Sequence, residues 1–317
     1  MPEMVHPAPN LPASAGEAYA RASLAPATLR AYRSGWQAFC EWCARHGRTM
    51  LPAAPETVAD HLASLAATHS RASLAKRLSA IGQYHRLAGH PFSPAHPVIH
   101  HTLRGIHRRH GRPARRAAAL TTAEIRRLLA VCGTGLAGLR DRALLLLGYA
   151  GALRRGELVA VEREHLGFTP DGMRLLIPRS KTDAAGQGAE IGIPRGSRAE
   201  TCPVRAMEAW LRASDCRYGP VFRKVTMWGS VESAALHPDA VRQILRKRAM
   251  AAGITASGIE RLSPHGLRAG FITEAYRQGA RDEEIMDHTR HRDLRTMRGY
   301  VRRAKLLAES PVRKLGL

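Results

Sequence analysis

Near the end of the chain, Tyr300 stands in a run of cations, His291-Arg-Asp-Leu-Arg-Thr-Met-Arg-Gly-Tyr300-Val-Arg-Arg, nine residues after His291. A phenol is a weak nucleophile alone, but cations and a nearby base can activate it toward phosphorus. Breaking a phosphodiester needs an in-line nucleophile and positive donors for the charge growing on the non-bridging oxygens. It also needs an acid for the leaving oxygen and a base for the nucleophile's proton. A tyrosine in a basic helix is also an ordinary packing residue, so the other three roles must be found elsewhere.

Three segments offer them. Gly151-Ala-Leu-Arg154-Arg155-Gly156-Glu157-Leu158 breaks two apolar helices, which would hold one of its two adjacent arginines toward the interior with Glu157 to orient it. Arg179-Ser-Lys181-Thr182-Asp183 lies in a hairpin turn. A lysine there is ordinarily solvated, yet its flexible ammonium suits proton donation to a leaving oxygen, the more so near arginines that lower its pKa. Ser263-Pro264-His265-Gly266-Leu267-Arg268 opens a helix and puts His265 and Arg268 on one face at its N-terminus, where backbone N–H groups and the helix dipole favour an anion.

The charge points to a polyanion. Lys and Arg number 49 against 26 Asp and Glu, a net charge of +23, and only six of the 49 are lysines. Such an excess repels itself in the compact state unless a partner neutralises it. There is no run of 18 apolar residues to cross a bilayer, and the start, MPEMVHPAPNLPASAGEA, lacks an apolar signal stretch. The basic residues are spread along the whole chain, which favours nucleic acid over a membrane. Five cysteines and no secretory signal fit a reduced, cytoplasmic setting. Cys40-x-x-Cys43 with His46 has no second ligand pair at metal spacing and reads as two half-buried helical cysteines.

Elements able to position these residues follow from periodicity. Residues 1–18 are Pro/Ala-rich and read as a disordered tail. Four helical segments follow: from Pro26 to near Gly47, Glu56–His69, Ser70 to about Leu87, and Ala95–His110. Together they make a small all-α domain. His107-Arg-Arg-His-Gly-Arg-Pro-Ala-Arg-Arg116 reads as a basic linker along a phosphate backbone, or as a solvated loop. A second domain opens at Thr121, whose spacing to Glu124 is that of a capping box. Helices are expected at about 121–132, 139–150, 156–163, 203–213, 238–252, 264–278, 282–289 and 293–308. The one clear β region is a hairpin, 173–178 and 189–194. Arg71, Lys76, Arg77, Arg242 and Arg246 are candidate groove or phosphate contacts, with a solvated face as the alternative.

Taken together and in order, Gly-Ala-Leu-Arg154-x-Gly-Glu-Leu, Ser-Lys181-Thr-Asp, His265-x-x-Arg268, His291 and Tyr300 resemble the tyrosine recombinase, or phage integrase, family. The resemblance implies a mainly α chain. It has a four-helix, SAM-like core-binding domain (19–106), a basic linker (107–117), and a mixed α+β catalytic domain (118–317) with a small three-stranded antiparallel sheet. It implies that Tyr300 forms a 3′-phosphotyrosyl bond, Arg154 and Arg268 clamp the phosphate, Lys181 protonates the leaving 5′ oxygen, His265 assists proton transfer and His291 hydrogen-bonds the phosphate. No metal or other cofactor is implied. The implied partners are double-stranded DNA with an inverted-repeat core site, three further copies of the chain in a tetramer, and accessory DNA-bending proteins. The implied setting is a mobile element at the bacterial nucleoid. A type IB-like topoisomerase or hairpin resolvase would use the same chemistry, and a non-catalytic DNA-binding regulator could use the same scaffold. One departure stands out: Arg290 precedes His291 where the family often has glycine.

Overall fold

The structure is a computed structural model that describes residues 23–180, 183, 186–308 and 310–315. The N-terminal tail expected at 1–18, and Lys181 and Thr182 of the hairpin turn, lie outside the described residues. The chain divides into two compact units, with the boundary between Ala114 and Arg115.

The first unit is four helices, α1 (Pro26–Arg45), α2 (Pro55–Ser64), α3 (Arg71–Leu87) and α4 (Pro97–His110). Proline starts three of them, where its missing N–H is no loss. Ser70 caps α3 by accepting the Ser73 N–H. Phe39, Trp42, Val58, Leu62, Leu74, Leu78, Ile81, Ile99 and Ile106 form its core. Tyr84 stacks on Trp36 at 4.7 Å. Cys43 is buried, and Cys40 is partly exposed on the same helix. The second segment stops at Ser64 rather than His69, because Leu65–His69 make turn bonds that lead into the Ser70 cap. The basic stretch expected to open a linker at 107 begins inside α4, whose last turn is His107–His110.

The second unit carries α5 (Thr122–Ala130), α6 (Leu136–Ala150), α7 (Arg155–Val159), α8 (Pro203–Ser214), α9 (Pro238–Ala251), α10 (His265–Arg277), α11 (Asp282–Thr289) and α12 (Leu294–Ala308). The capping box at Thr121 and Glu124 forms with both reciprocal bonds. Strands β2 (Leu166–Phe168), β3 (Gly172–Ile177) and β4 (Ala189–Pro194) make the three-stranded antiparallel sheet in the order β2-β3-β4. Two further pairs were not legible in the sequence. β1 (Arg116–Ala117) runs parallel to β7 (Glu260–Arg261), and β5 (Arg223–Val225) pairs with β6 (Val231–Ala235). They are too short, or too polar, to show an apolar alternation. The leucines of α6 lie at the centre of the core with Trp210, Phe222 and the inward side of β3 and β4. No helix among the described residues is long and apolar enough to cross a membrane.

Two glycines set the position of α10. A Cβ at Gly266 would lie 2.4 Å from the Ala118 carbonyl oxygen, and one at Gly270 only 1.9 Å from that of Leu120. The strap 118–120 therefore crosses α10 in direct backbone contact, and the Leu120 N–H donates to the Gly266 carbonyl at 3.1 Å. α12 is anchored differently. Met297 and Val301 are buried against Ile272 and Ile285 of α10 and α11. Burying two such side chains stabilises by about 3–6 kcal/mol before entropy is counted. They flank Tyr300 in sequence and so fix the face it presents.

Candidate active site

Arg154, Glu157, His265, Arg268, His291 and Tyr300 converge in the second unit. Arg268 stands on the first turn of α10 and is 1% exposed. Its Nη1 donates to the Ala152 carbonyl at 2.6 Å and its Nη2 to the Thr289 carbonyl. Ala152 can offer that carbonyl because it turns out of α6 in a left-handed conformation, φ 45°. Burial, with Arg154 and Arg290 adding repulsion, pushes the Arg268 pKa down to about 10, so the guanidinium remains charged at neutral pH. Arg268 thus ties together the ends of α6, α10 and α11 while contributing its charge from beneath the surface.

The adjacent arginines at the α6–α7 junction separate. Arg154 turns inward, donating from Nη1 to Glu157 Oε1 at 2.7 Å, while its backbone N–H donates to Oε2 at 2.9 Å. Arg155 instead pairs with Asp239 of α9 at 2.7 Å, both about half exposed. Burial works to raise the Glu157 carboxyl. The hydrogen bonds from Arg154 and the charges of Arg290 and Arg154 outweigh it and hold the group below the ordinary glutamate range. Nε and Nη2 of Arg154 make no hydrogen bond among the described residues.

His265 is exposed at the first position of α10, and its Nε2 shares a 2.5 Å hydrogen bond with the Tyr300 hydroxyl. The ring of His291 lies 6.1 Å from that of Tyr300, centroid to centroid. His291 Nδ1 is 2.6 Å from Thr289 Oγ1, and that hydroxyl already donates to the Ile285 carbonyl at 2.6 Å. Nδ1 must therefore carry the proton of this contact, leaving Nε2 as an acceptor 3.3 Å from Arg268 Nη2. Burial first, then Arg268, Arg154, His265 and Arg290, pushes the His291 pKa down to about 4, so the ring is neutral at physiological pH.

Arg242 and Arg246 are exposed one turn apart on α9, and Arg71 and Lys76 are exposed on α3. Arg77 is partly buried and reaches the Ser34 carbonyl of α1 at 3.4 Å, so it bridges helices rather than standing clear. Lys181 lies outside the described residues; the flanking Asp183 accepts from the Gly188 N–H at 2.9 Å and faces Arg292 at 3.9 Å. Sequence reasoning missed Ala152 and Thr289, which take part through backbone carbonyls that no residue type announces. It noted Arg290 only as a departure, although its neighbour His291 was a signal. Among the described residues no group of three or more His, Cys, Asp or Glu is placed to hold a metal ion.

A buried guanidinium, a carboxylate-held second arginine, two imidazoles and a phenol in hydrogen-bond contact make a site suited to an anionic phosphate. Residues 118–306 match the phage integrase family, and residues 19–90 match the phage integrase N-terminal SAM-like domain. The chain belongs to the phage integrase family, the tyrosine-type site-specific DNA recombinases. It is 33% identical over 299 residues to an integrase/recombinase xerD homolog of Selenomonas ruminantium, covering 92% of this chain and 86% of that protein. It is 30% identical over 304 residues to the tyrosine recombinase XerD of Caulobacter vibrioides, covering 91% and 92%. Among solved structures, a lambda integrase dimer bound to a COC′ core site shares the fold with a TM-score of 0.59 at 17% identity, over 90% of this chain and 74% of that one. The XerH site-specific recombinase bound to a palindromic difH substrate does so with 0.59 at 16% identity, over 81% and 71%.

Proposed function

We propose that this chain recombines DNA at a specific inverted-repeat core site, cutting and rejoining strands through a 3′-phosphotyrosyl bond on Tyr300. The observation that carries the reading is the 2.5 Å contact between the Tyr300 hydroxyl and His265 Nε2, with Arg268, His291 and the Arg154–Glu157 pair around it. The Tyr300 oxygen attacks phosphorus and gives its proton to His265. The bond from phosphorus to the 5′ oxygen breaks, and Lys181 gives that oxygen its proton. Arg154 and Arg268 balance the charge on the non-bridging oxygens; losing one such donor costs about 10²–10³ in rate. A bound phosphate offsets the cations that depress His291, so Nε2 can take up a proton and donate it in a hydrogen bond. The new bond conserves the phosphodiester energy, so a 5′-hydroxyl from a partner strand reverses the step without ATP or metal.

The net charge of +23 supports many phosphate contacts; Arg71, Lys76, Arg242 and Arg246 are assigned to them. Two related solved structures, a lambda integrase tetramer on a Holliday junction and XerH on palindromic difH, support a tetramer on paired core sites; DNA-bending accessories, a mobile element and the bacterial nucleoid belong to the same proposal on the family resemblance alone. The test begins with Tyr300→Phe, used to capture and sequence its site from fragmented genomic DNA. Two duplexes of different length bearing that site are then mixed with the wild-type chain. Products of exchanged length are expected. Rejoining only within one duplex would mark a topoisomerase-type or hairpin-resolving enzyme, and binding with no cleavage would mark a regulator; either result overturns the proposal.

A further inference from the structure

The turn between α11 and α12 holds a cation that these roles leave unused. Arg290 closes α11 at φ 58°, ψ 44°, a left-handed conformation that glycine adopts freely and a residue with a Cβ does not. From that turn its side chain runs inward and is 9% exposed. Nη1 donates to the His288 carbonyl at 2.9 Å, Nη2 donates to Glu157 Oε2 at 3.1 Å, and Nε is buried with no hydrogen-bond partner among the described residues. A strained backbone, a buried cation and an unsatisfied donor meet in one residue, and each is unfavourable. Packing alone does not call for such a residue, since any apolar side chain would avoid the last two.

The partner explains the arrangement. Glu157 Oε2 receives both the Arg154 N–H and Arg290 Nη2, and Oε1 receives the Arg154 guanidinium. One carboxylate, 5% exposed at its side chain, is therefore gripped between two arginines. The Arg154–Glu157 pair alone carries no net charge, so a phosphate beside it would meet a dipole. With Arg290 the trio carries one net positive charge. Arg268 lies close enough that both Arg154 and Arg290 depress it.

We propose that Arg290 is a positioning residue for strand cleavage: it neutralises Glu157 and pins that carboxylate, so that Glu157 can hold Arg154 in place without cancelling its charge at the scissile phosphate. This rests on reading the site as a phosphoryl-transfer centre. Arg290 need not touch the DNA; it acts through Glu157.

The test uses the full chain with Arg290→Met, which keeps the bulk and the turn but not the charge, Arg290→Lys, which keeps the charge, and Arg290→Gly, which relieves the turn. Arg290→Met is also combined with Glu157→Gln. Three quantities are read: the single-turnover rate of SDS-resistant adduct on the captured duplex, the affinity for inorganic phosphate by calorimetry at low salt, and the melting temperature. Arg290→Met should lower both rate and phosphate affinity about tenfold, the scale of one unit charge across a partly buried site. Arg290→Lys should recover most of that loss. Arg290→Gly should lose as much rate as Arg290→Met while melting no lower than wild type. The double variant, whose trio again sums to one positive charge, should return to within about threefold of wild type in phosphate affinity. Wild-type rates in Arg290→Met and Arg290→Gly would overturn the inference, as would losses that follow the melting temperature or a double variant worse than either single one. If the wild type forms no adduct while phosphate affinity follows this pattern, the cleavage reading falls and the charge balance stands. If adduct forms and nothing responds to Arg290, the reverse holds.

Discussion

An alanine at Gly270 puts a methyl group where the backbone of the 118–120 strap already lies. Its Cβ would sit 1.9 Å from the Leu120 carbonyl oxygen, 2.8 Å from that carbonyl carbon and 3.0 Å from the Leu120 nitrogen. Ordinary contact begins near 3.4 Å, so either the strap or α10 must move by more than about 1 Å. The strap is poorly able to yield, because Leu120 is fully buried in the core and Ala118 N–H donates to the Arg261 carbonyl at 3.0 Å. α10 is then displaced, and it carries His265 and Arg268 on the turn before Gly270. Overpacking of this kind costs about 1–3 kcal/mol. In a unit of this size each kcal/mol lowers the melting temperature by about 2–4 °C, giving a fall of about 2–12 °C. A misplacement of about 1 Å among reacting groups costs up to about 10²-fold in rate. The assay is thermal melting together with single-turnover adduct formation well below the melt. Gly105→Ala is the stability control. It sits inside α4 with no atom within 4 Å of the new methyl, and it should stabilise by up to about 1 kcal/mol. A Gly270→Ala chain that melts and cleaves like wild type would refute the claim that this backbone crossing sets the site.

Arg154→Ala should bind DNA but lose about 10²–10³ in cleavage, whereas Arg155→Ala should cleave within about threefold of wild type, because its pair with Asp239 is solvent-exposed; equal losses on kinetic comparison would count against the assignment. His61 is 1% exposed between Phe39 and Trp42, both ring nitrogens lack a hydrogen-bond partner among the described residues, and burial pushes its pKa down to about 4. The unfolded chain binds this proton first, so the stability is full above about pH 6.5 and is lost as pH falls toward 4, by about 3 kcal/mol. His61→Leu should flatten that stretch of the pH–stability curve of the first unit and raise its stability near pH 7 by about 1 kcal/mol or more; a slope unchanged in denaturant titrations would show that other groups set it.

Much of the fold was legible because its signals are local. Apolar spacing marks α1 and α3, proline marks the starts of α8 and α9, and the Thr121–Glu124 box caps α5 where expected. What escaped is non-local. β1 pairs with β7 across more than 140 residues of chain, and two residues on each side carry no pattern. Nothing in the sequence sets the glycines at 266 and 270 apart, and only the strap above them shows why a side chain cannot stand there. In the site, side chains of distinctive chemistry could be named from type and spacing. Apart from Glu157, which its place beside the arginine pair marked out, the groups that orient them could not. The carbonyls of Ala152 and Thr289 belong to every residue, and the sequence marks Arg290 as a departure from glycine without telling that its side chain turns inward onto Glu157.

The claim on which the account turns is that the Tyr300 oxygen becomes bonded to DNA. It is tested by incubating the wild-type chain with the captured duplex, trapping the covalent complex in SDS, digesting it, and sequencing the nucleotide-bearing peptide by mass spectrometry. The account places the 3′-phosphonucleotide on Tyr300, and Tyr300→Phe yields no such peptide while still binding the duplex. A nucleotide attached to another residue, or an adduct that persists in Tyr300→Phe, would contradict it.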